Sequence, residues 1–306
     1  MVEVGANFKR NGVSVKPSMI KLMMIFYFGL SLFGCSQLLY YPTDIMYVNP
    51  VRLKSKYENH EISLANGVRV QGWYFQSPIP QPKGVILFFH GNGQNRSAHY
   101  MSLFWIVKEG YDLAVFDYPG YGISDGIPTP QSTVEMGKAA IQYVHNMNPR
   151  LPLIVYGQSL GGNIAMRSVF EMKEKVKPQV LVVESSFLSY RAAARGILAS
   201  SIWTWPLQPL AYLLLSDEWA IHDHVSELDE IPMIVIHSKQ DKVISFSLGE
   251  EVYNKSRSKK EFLIRENGGH NETFVGKDGP TNKIQFLSIL DRLTSTSQTE
   301  TLLKVR

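Results

Sequence analysis

The sequence predicts an α/β domain built on a mainly parallel sheet with helices over both faces. Six short runs, 85–89, 113–116, 153–156, 180–183, 233–236 and 262–264, are apolar throughout, and segments of helical character separate them. Strands without polar alternation are buried on both faces, an arrangement reached when helices cross between parallel neighbours. A chain of 306 residues, 44% hydrophobic and 19% charged, has enough apolar material for one large core. These values exclude a disordered or collagenous protein, and the single Cys excludes an internal disulfide framework. A formal net charge of +4 is too small to mark a nucleic-acid surface.

In chain order, the first feature reads as a leader, the alternative being a buried N-terminal helix with an inert core Cys. Residues 22–33 (LMMIFYFGLSLF) are apolar, preceded by Lys21 and followed by Gly34 and Cys35. A membrane span needs about 20 apolar residues and a signal-peptide core about 7–15, so the run has signal-peptide length. Met19 is an alternative start for such a peptide. Residues 1–34 contribute Lys9, Arg10, Lys16 and Lys21 against Glu3, so most of the net charge belongs to the leader. Residues 35–58 are expected to be a tether, 59–293 the globular domain and 294–306 a loose tail. Residues 60–75 read as a hairpin, with Asn66-Gly67 supplying the positive φ of a tight turn. Beyond it the apolar runs begin. Ligands on a parallel sheet bind beyond the C-terminal strand ends, which directs attention to His90, Asp117, Gly157, Glu184 and His237 and to the loops after them.

G-x-S-x-G occurs at Gly122–Gly126 and at Gly157–Gly161. A nucleophile elbow is a strained turn from strand to helix, flanked by glycines because nothing bulky fits beside the serine. Ser159 has that context, between LPLIVY and GGNIAMRSVFEM. Ser124 precedes Gly126-Ile-Pro128-Thr-Pro130, which cannot propagate a helix, and reads as a loop residue. A serine hydroxyl needs a base, and the base an orienting carboxylate. Asp241, after the penultimate apolar run, and His270, in a Gly-rich loop after the last, complete the order Ser, Asp, His. His222 and His224, with Asp223 between them, are a rival pair whose spacing is weak metal-ligand evidence, and no metal is assigned. The oxyanion donors are expected to be the backbone N–H of Leu160 and, in His90-Gly91-Asn92-Gly93, that of Asn92. Arg96 stands where a dinucleotide fingerprint would want its third small residue.

HGNG at 90–93, DYPGYGISDG at 117–126, GQSLGG at 157–162, Asp241 and His270 together resemble the α/β-hydrolase superfamily across about residues 60–293. Within it the chain is similar to the group of lysophospholipases, monoacylglycerol lipases and protein depalmitoylases. The D-Y-x-G-Y-G-x-S-x-G run is the most specific piece of that similarity. The resemblance implies the α/β-hydrolase fold with a small helical cap, and hydrolysis of an acyl ester or thioester through an acyl-enzyme, without a cofactor. The apolar segment at about 188–228, with Trp203, Trp205, Pro206 and Pro209, falls where the cap is inserted. It reads either as a lipid-contacting lid or as helices packed on the sheet, and Ser185 and Ser186 precede it as possible substrate contacts. Leu32-Phe33-Gly34-Cys35 resembles the lipobox of bacterial lipoproteins, in which the Cys is lipidated; Phe33 departs from its usual small residue. This implies a membrane-attached protein of the cell envelope, in the outer membrane if the source is Gram-negative, because Ser36 and not Asp follows the Cys. The expected partners are the membrane and a small acyl substrate, with no nucleic acid, and the protein is expected to act as a monomer. Two rival readings remain: a peptidase of the prolyl-peptidase type, and a non-catalytic binding lipoprotein.

Overall fold

The computed structural model describes residues 39–304, with side chains as far as residue 294; Cys35 and the leader lie outside the described residues. The strands are β1 (Tyr41–Pro42), β2 (Tyr57–Ser63), β3 (Arg69–Phe75), β4 (Gly84–Phe89), β5 (Gly93–Gln94), β6 (Tyr111–Phe116), β7 (Leu153–Gln158), β8 (Val180–Glu184), β9 (Met233–Ser238) and β10 (Lys260–Arg265). The α-helices are α1 (Arg96–His99), α2 (Pro130–Met147), α3 (Leu160–Met172), α4 (Tyr190–Ala199), α5 (Gln208–Leu214), α6 (Phe246–Lys255) and α7 (Gly279–Lys304). Eight strands form one sheet in the order β10-β9-β8-β7-β4-β6-β3-β2. Among the described residues β3 alone runs against its sheet neighbours, pairing antiparallel with β2 and β6. The hairpin and all six apolar runs are therefore strands, each extended by one to three residues beyond its apolar stretch.

Every residue of β4, β6, β7, β8 and β9 is buried. One face of the sheet packs on Met136, Ile141 and Val144 of α2 and on Ile164, Ala165 and Val169 of α3. The other packs on Ile106 and Val107 and on Phe286, Leu290 and Leu293 of α7. At about 1.5–3 kcal/mol for each fully buried large aliphatic side chain, this two-sided burial is the main force holding the strands together. Helix α2 opens on a capping box, Thr129 accepting from Ser132 N while Ser132 Oγ accepts from Thr129 N, with Pro130 in its first turn.

Both domain boundaries differ from the sequence expectation. Residues 39–58 are not a free tether: Tyr40 is buried in the core, and β1 pairs in parallel with β5. At the other end α7 continues to Lys304, so the tail expected to be loose is helical over most of its length. A two-residue strand is too short to show periodicity, and the polar composition after residue 294 gives no helical face to read.

Candidate active site

Ser159 sits between β7 and α3 with φ +57° and ψ −124°, a conformation that L-residues adopt only when the surroundings impose it. What imposes it is packing. A Cβ on Gly157 would come 2.5 Å from Gly161 O, and one on Gly161 would come 2.2 Å from Phe89 O. The turn is thus wedged against the end of β4, and Ser159 N–H donates to Glu184 O on β8 at 2.8 Å. As the first helical residue of α3, Leu160 carries an N–H with no intrahelical acceptor.

Ser159, Asp241 and His270 come together as the sequence order implies. His270 Nε2 lies 2.9 Å from Ser159 Oγ, and His270 Nδ1 lies 2.7 Å from Asp241 Oδ2. A carboxylate only accepts, so Nδ1 carries the proton and Nε2 presents its lone pair to the serine hydroxyl. Asp241 Oδ1 accepts from Val243 N and Ile244 N, each at 2.9 Å. Burial pushes the Asp241 carboxyl up, but the hydrogen bond and charge of His270 and these two amides outweigh it and hold the group below the usual carboxylate range. The loop bearing His270 is itself fixed. Buried Arg265 donates to Asn267 O, Gly269 O, Glu272 O and Thr273 Oγ1, and Ser238 Oγ donates to Gly268 O at 2.5 Å. Sequence reasoning missed Arg265, because an arginine at the end of an apolar run gives no sign that it points inward.

A cavity of about 310 Å³ opens over Ser159. Asn92 and Leu160 line it beside the serine, and the remaining wall is apolar: Leu39 and Tyr41, Phe187, Val243 and Ile244, and the α4–α5 segment from Ala193 to Leu215. Within the segment at 188–228, residues 193–215 therefore roof the serine, while Ala220, Ile221, Val225 and Leu228 pack into the core. Part of it packs inward through Tyr190, Ala193 and Ala211, while Ile202 and Trp203 are more than four-fifths exposed. Leu39 and Tyr41, which fall within the expected tether, line this cavity. A larger groove of about 660 Å³ lies between the β2–β3 turn and α2, and there Glu135 and Lys138 pair with each other.

The strand-end residues do not do the chemistry directly. His90, Asp117, Glu184 and His237 are fully buried and none lines the cavity. Glu184 accepts from Tyr156, Gln158 and Thr273; His237 Nε2 donates to Ile244 O and stands 3.5 Å from Asp241. Asp117 pairs with buried Arg96, whose guanidinium also lies over the Trp73 ring at 4.5 Å. Ser185 and Ser186 are buried away from the cavity and so are not substrate contacts in this arrangement. Ser124 is a loop residue as expected, its Oγ accepting from Gln71 N at 2.9 Å. His222 and His224 turn to different carboxylates, Asp223 and Glu227, each at 2.8 Å.

A mostly parallel sheet whose fifth large strand, β7, carries a serine through a strained turn toward a histidine and aspartate on later loops is the α/β-hydrolase fold. The similarities agree with that class. Residues 80–214 match the family described as "Serine aminopeptidase, S33". The uncharacterized protein YfhR of Escherichia coli K12 is 26% identical over 257 residues, 82% of this chain and 85% of that protein. Lysophosphatidylserine lipase ABHD12 of Danio rerio is 27% identical over 221 residues, 66% of this chain and 53% of the lipase. Among solved structures, the Pyrococcus furiosus esterase Pf2001 superposes with a TM-score of 0.65 at 20% identity, covering 84% of this chain and 98% of the esterase.

Proposed function

We propose that the protein is a serine hydrolase that cleaves a carboxylic ester or thioester through an acyl-enzyme. The observation that carries this reading is the hydrogen-bonded Asp241–His270–Ser159 relay beneath an apolar cavity. Ser159 Oγ attacks the acyl carbonyl while its proton passes to His270 Nε2, and Asp241 holds the imidazolium that results. The carbonyl oxygen, now anionic, is held by the N–H groups of Asn92 and Leu160. His270 then protonates the departing alcohol or thiol, and a water molecule repeats the sequence to release the acid.

The cavity supports an acyl substrate. A 150 Å³ apolar cavity takes one benzene ring, about 25 Å³ per carbon, so 310 Å³ accommodates about 12 carbons of an acyl chain. The matched family's name favours a second reading, an aminopeptidase. Such an enzyme must hold an α-ammonium group, and among the described residues lining the cavity there is no Asp or Glu. Lipidation of Cys35 would place the cavity at a membrane surface of the cell envelope; incorporation of labelled palmitate that vanishes in Cys35→Ser tests this. A fluorophosphonate probe is expected to label the wild type and not Ser159→Ala. Labelling that persists in Ser159→Ala would refute the proposed nucleophile, and turnover of aminoacyl amides in preference to p-nitrophenyl esters would favour the peptidase.

A further inference from the structure

We infer that the hydroxyl of Tyr121, together with the backbone of β1, is a positioning device for the oxyanion hole, an inference that rests on the ester-hydrolase reading. The D-Y-P-G-Y-G run marks a resemblance in the sequence, but nothing in the relay uses it. The structure gives it a task. Tyr118 Oη donates to His90 O at 2.8 Å, and Tyr121 Oη donates to Asn92 O at 2.5 Å. The backbone N–H of Tyr41, in β1, also donates to Asn92 O at 2.9 Å and reaches Tyr121 Oη at 3.2 Å.

The remaining carbonyls of the loop are held in the same way. His90 Nδ1–H donates to Gly91 O at 2.8 Å, His99 Nε2–H to Gly93 O at 2.9 Å, and Thr43 N–H to Gln94 O at 3.2 Å. Each carbonyl from His90 to Gln94 is thus held by a donor, the Tyr41 amide at the cavity wall included. In a trans peptide the N–H points opposite to the C=O, so anchoring the carbonyls on one side directs the amides to the other. Asn92 N–H has no acceptor among the described residues, and Asn92 lines the cavity beside Ser159. The peptide before it is fixed by the His90 ring and the peptide after it by Tyr121 and Tyr41, so the amide is clamped from both sides.

The chemistry of Tyr121 suits this task. It is fully buried, and burial pushes its phenol far above the ordinary value, so the hydroxyl remains a donor at any working pH. Donors that are held before the reaction need no reorganisation when charge develops on the substrate oxygen. The N-terminal segment expected to be a tether is in this way part of the active site.

The test is Tyr121→Phe in the full chain, which removes one oxygen. Losing an oxyanion donor outright costs about 10²–10³ in kcat, and loosening one is expected to cost about 10–100-fold. The loss should fall on kcat with KM for a p-nitrophenyl ester unchanged. The inhibition constant of a trifluoromethyl ketone, whose adduct with Ser159 carries the same oxyanion, should rise by the same factor. A purely structural role would lower Tm without moving that constant. Tyr41→Pro deletes the second donor whereas Tyr41→Ala keeps it, so a lower kcat and weaker ketone binding in Tyr41→Pro than in Tyr41→Ala are expected. This pair keeps the inference testable if Tyr121→Phe fails to fold. A wild type that hydrolyses esters, with kcat and ketone affinity unmoved in Tyr121→Phe or equal between the two Tyr41 variants, would overturn the positioning role alone. A wild type that hydrolyses no ester would overturn the underlying reading and this inference with it.

Discussion

Gly161→Ala separates local propensity from tertiary packing, because the two predict opposite signs. Within a helix, alanine is favoured over glycine by about 1 kcal/mol, so α3 considered alone should be stabilised. In the fold, the new Cβ would sit 2.2 Å from Phe89 O and 2.4 Å from His90 O. Both are main-chain atoms at the end of β4, so no rotamer change relieves the overlap, and restoring ordinary contact requires a separation of about 1 Å. Overpacking of this kind costs about 1–3 kcal/mol, which equals or exceeds the propensity gain. The larger effect should be on activity. Ser159 and Leu160 move with α3, whereas His270 and Asn92 stand on separate loops, so the same displacement stretches the 2.9 Å Ser159–His270 contact and spreads the two proposed oxyanion donors. A misplacement of about 1 Å at reacting atoms costs on the order of 10²-fold in rate. The expected result is a drop of that order in kcat/KM for a p-nitrophenyl ester, with urea unfolding showing a net loss of at most about 2 kcal/mol. A Gly161→Ala protein that is more stable than wild type and fully active would refute the packing argument for the elbow.

Asp241→Asn removes the acceptor that fixes the His270 tautomer, and kcat is expected to fall by about 10⁴-fold while fluorophosphonate labelling slows in parallel; unchanged kcat would show that His270 is oriented by something else. His90, His99 and His237 are each pushed below the ordinary imidazole value, first by burial. The unfolded chain therefore binds protons below about pH 6.5 that the folded chain refuses, so stability should be fully present above that pH and fall below it, with a slope of up to about 1.4 kcal/mol per pH unit for each ring. Urea midpoints that do not decline between pH 7 and 5 would contradict neutral burial of these rings. Ala211→Trp, placed in the buried cap position that lines the cavity, should reduce kcat/KM for C10 and C12 esters by at least about 10-fold relative to the acetate ester, read from a chain-length profile. A profile that shifts uniformly would mean that the acyl chain lies elsewhere.

The features legible in the sequence were those that local backbone chemistry sets. Wholly apolar runs mark strands buried on two faces, glycines around Ser159 mark a turn that admits no side chains, and Pro128 and Pro130 exclude Ser124 from the same role. Chain order then selected Asp241 and His270 from several carboxylates and eight histidines. The tertiary structure decided what depends on contacts between distant segments. The place of β1 beside β5 and the carbonyls that Tyr118 and Tyr121 hold join residues from 28 to 52 positions apart, and the inward turn of Arg265 beneath the His270 loop is a side-chain direction that no pattern announces. Apolar periodicity reports which residues leave water. It is silent on which donor meets which acceptor, because a hydrogen bond depends on distance and angle between groups whose proximity only the folded chain creates.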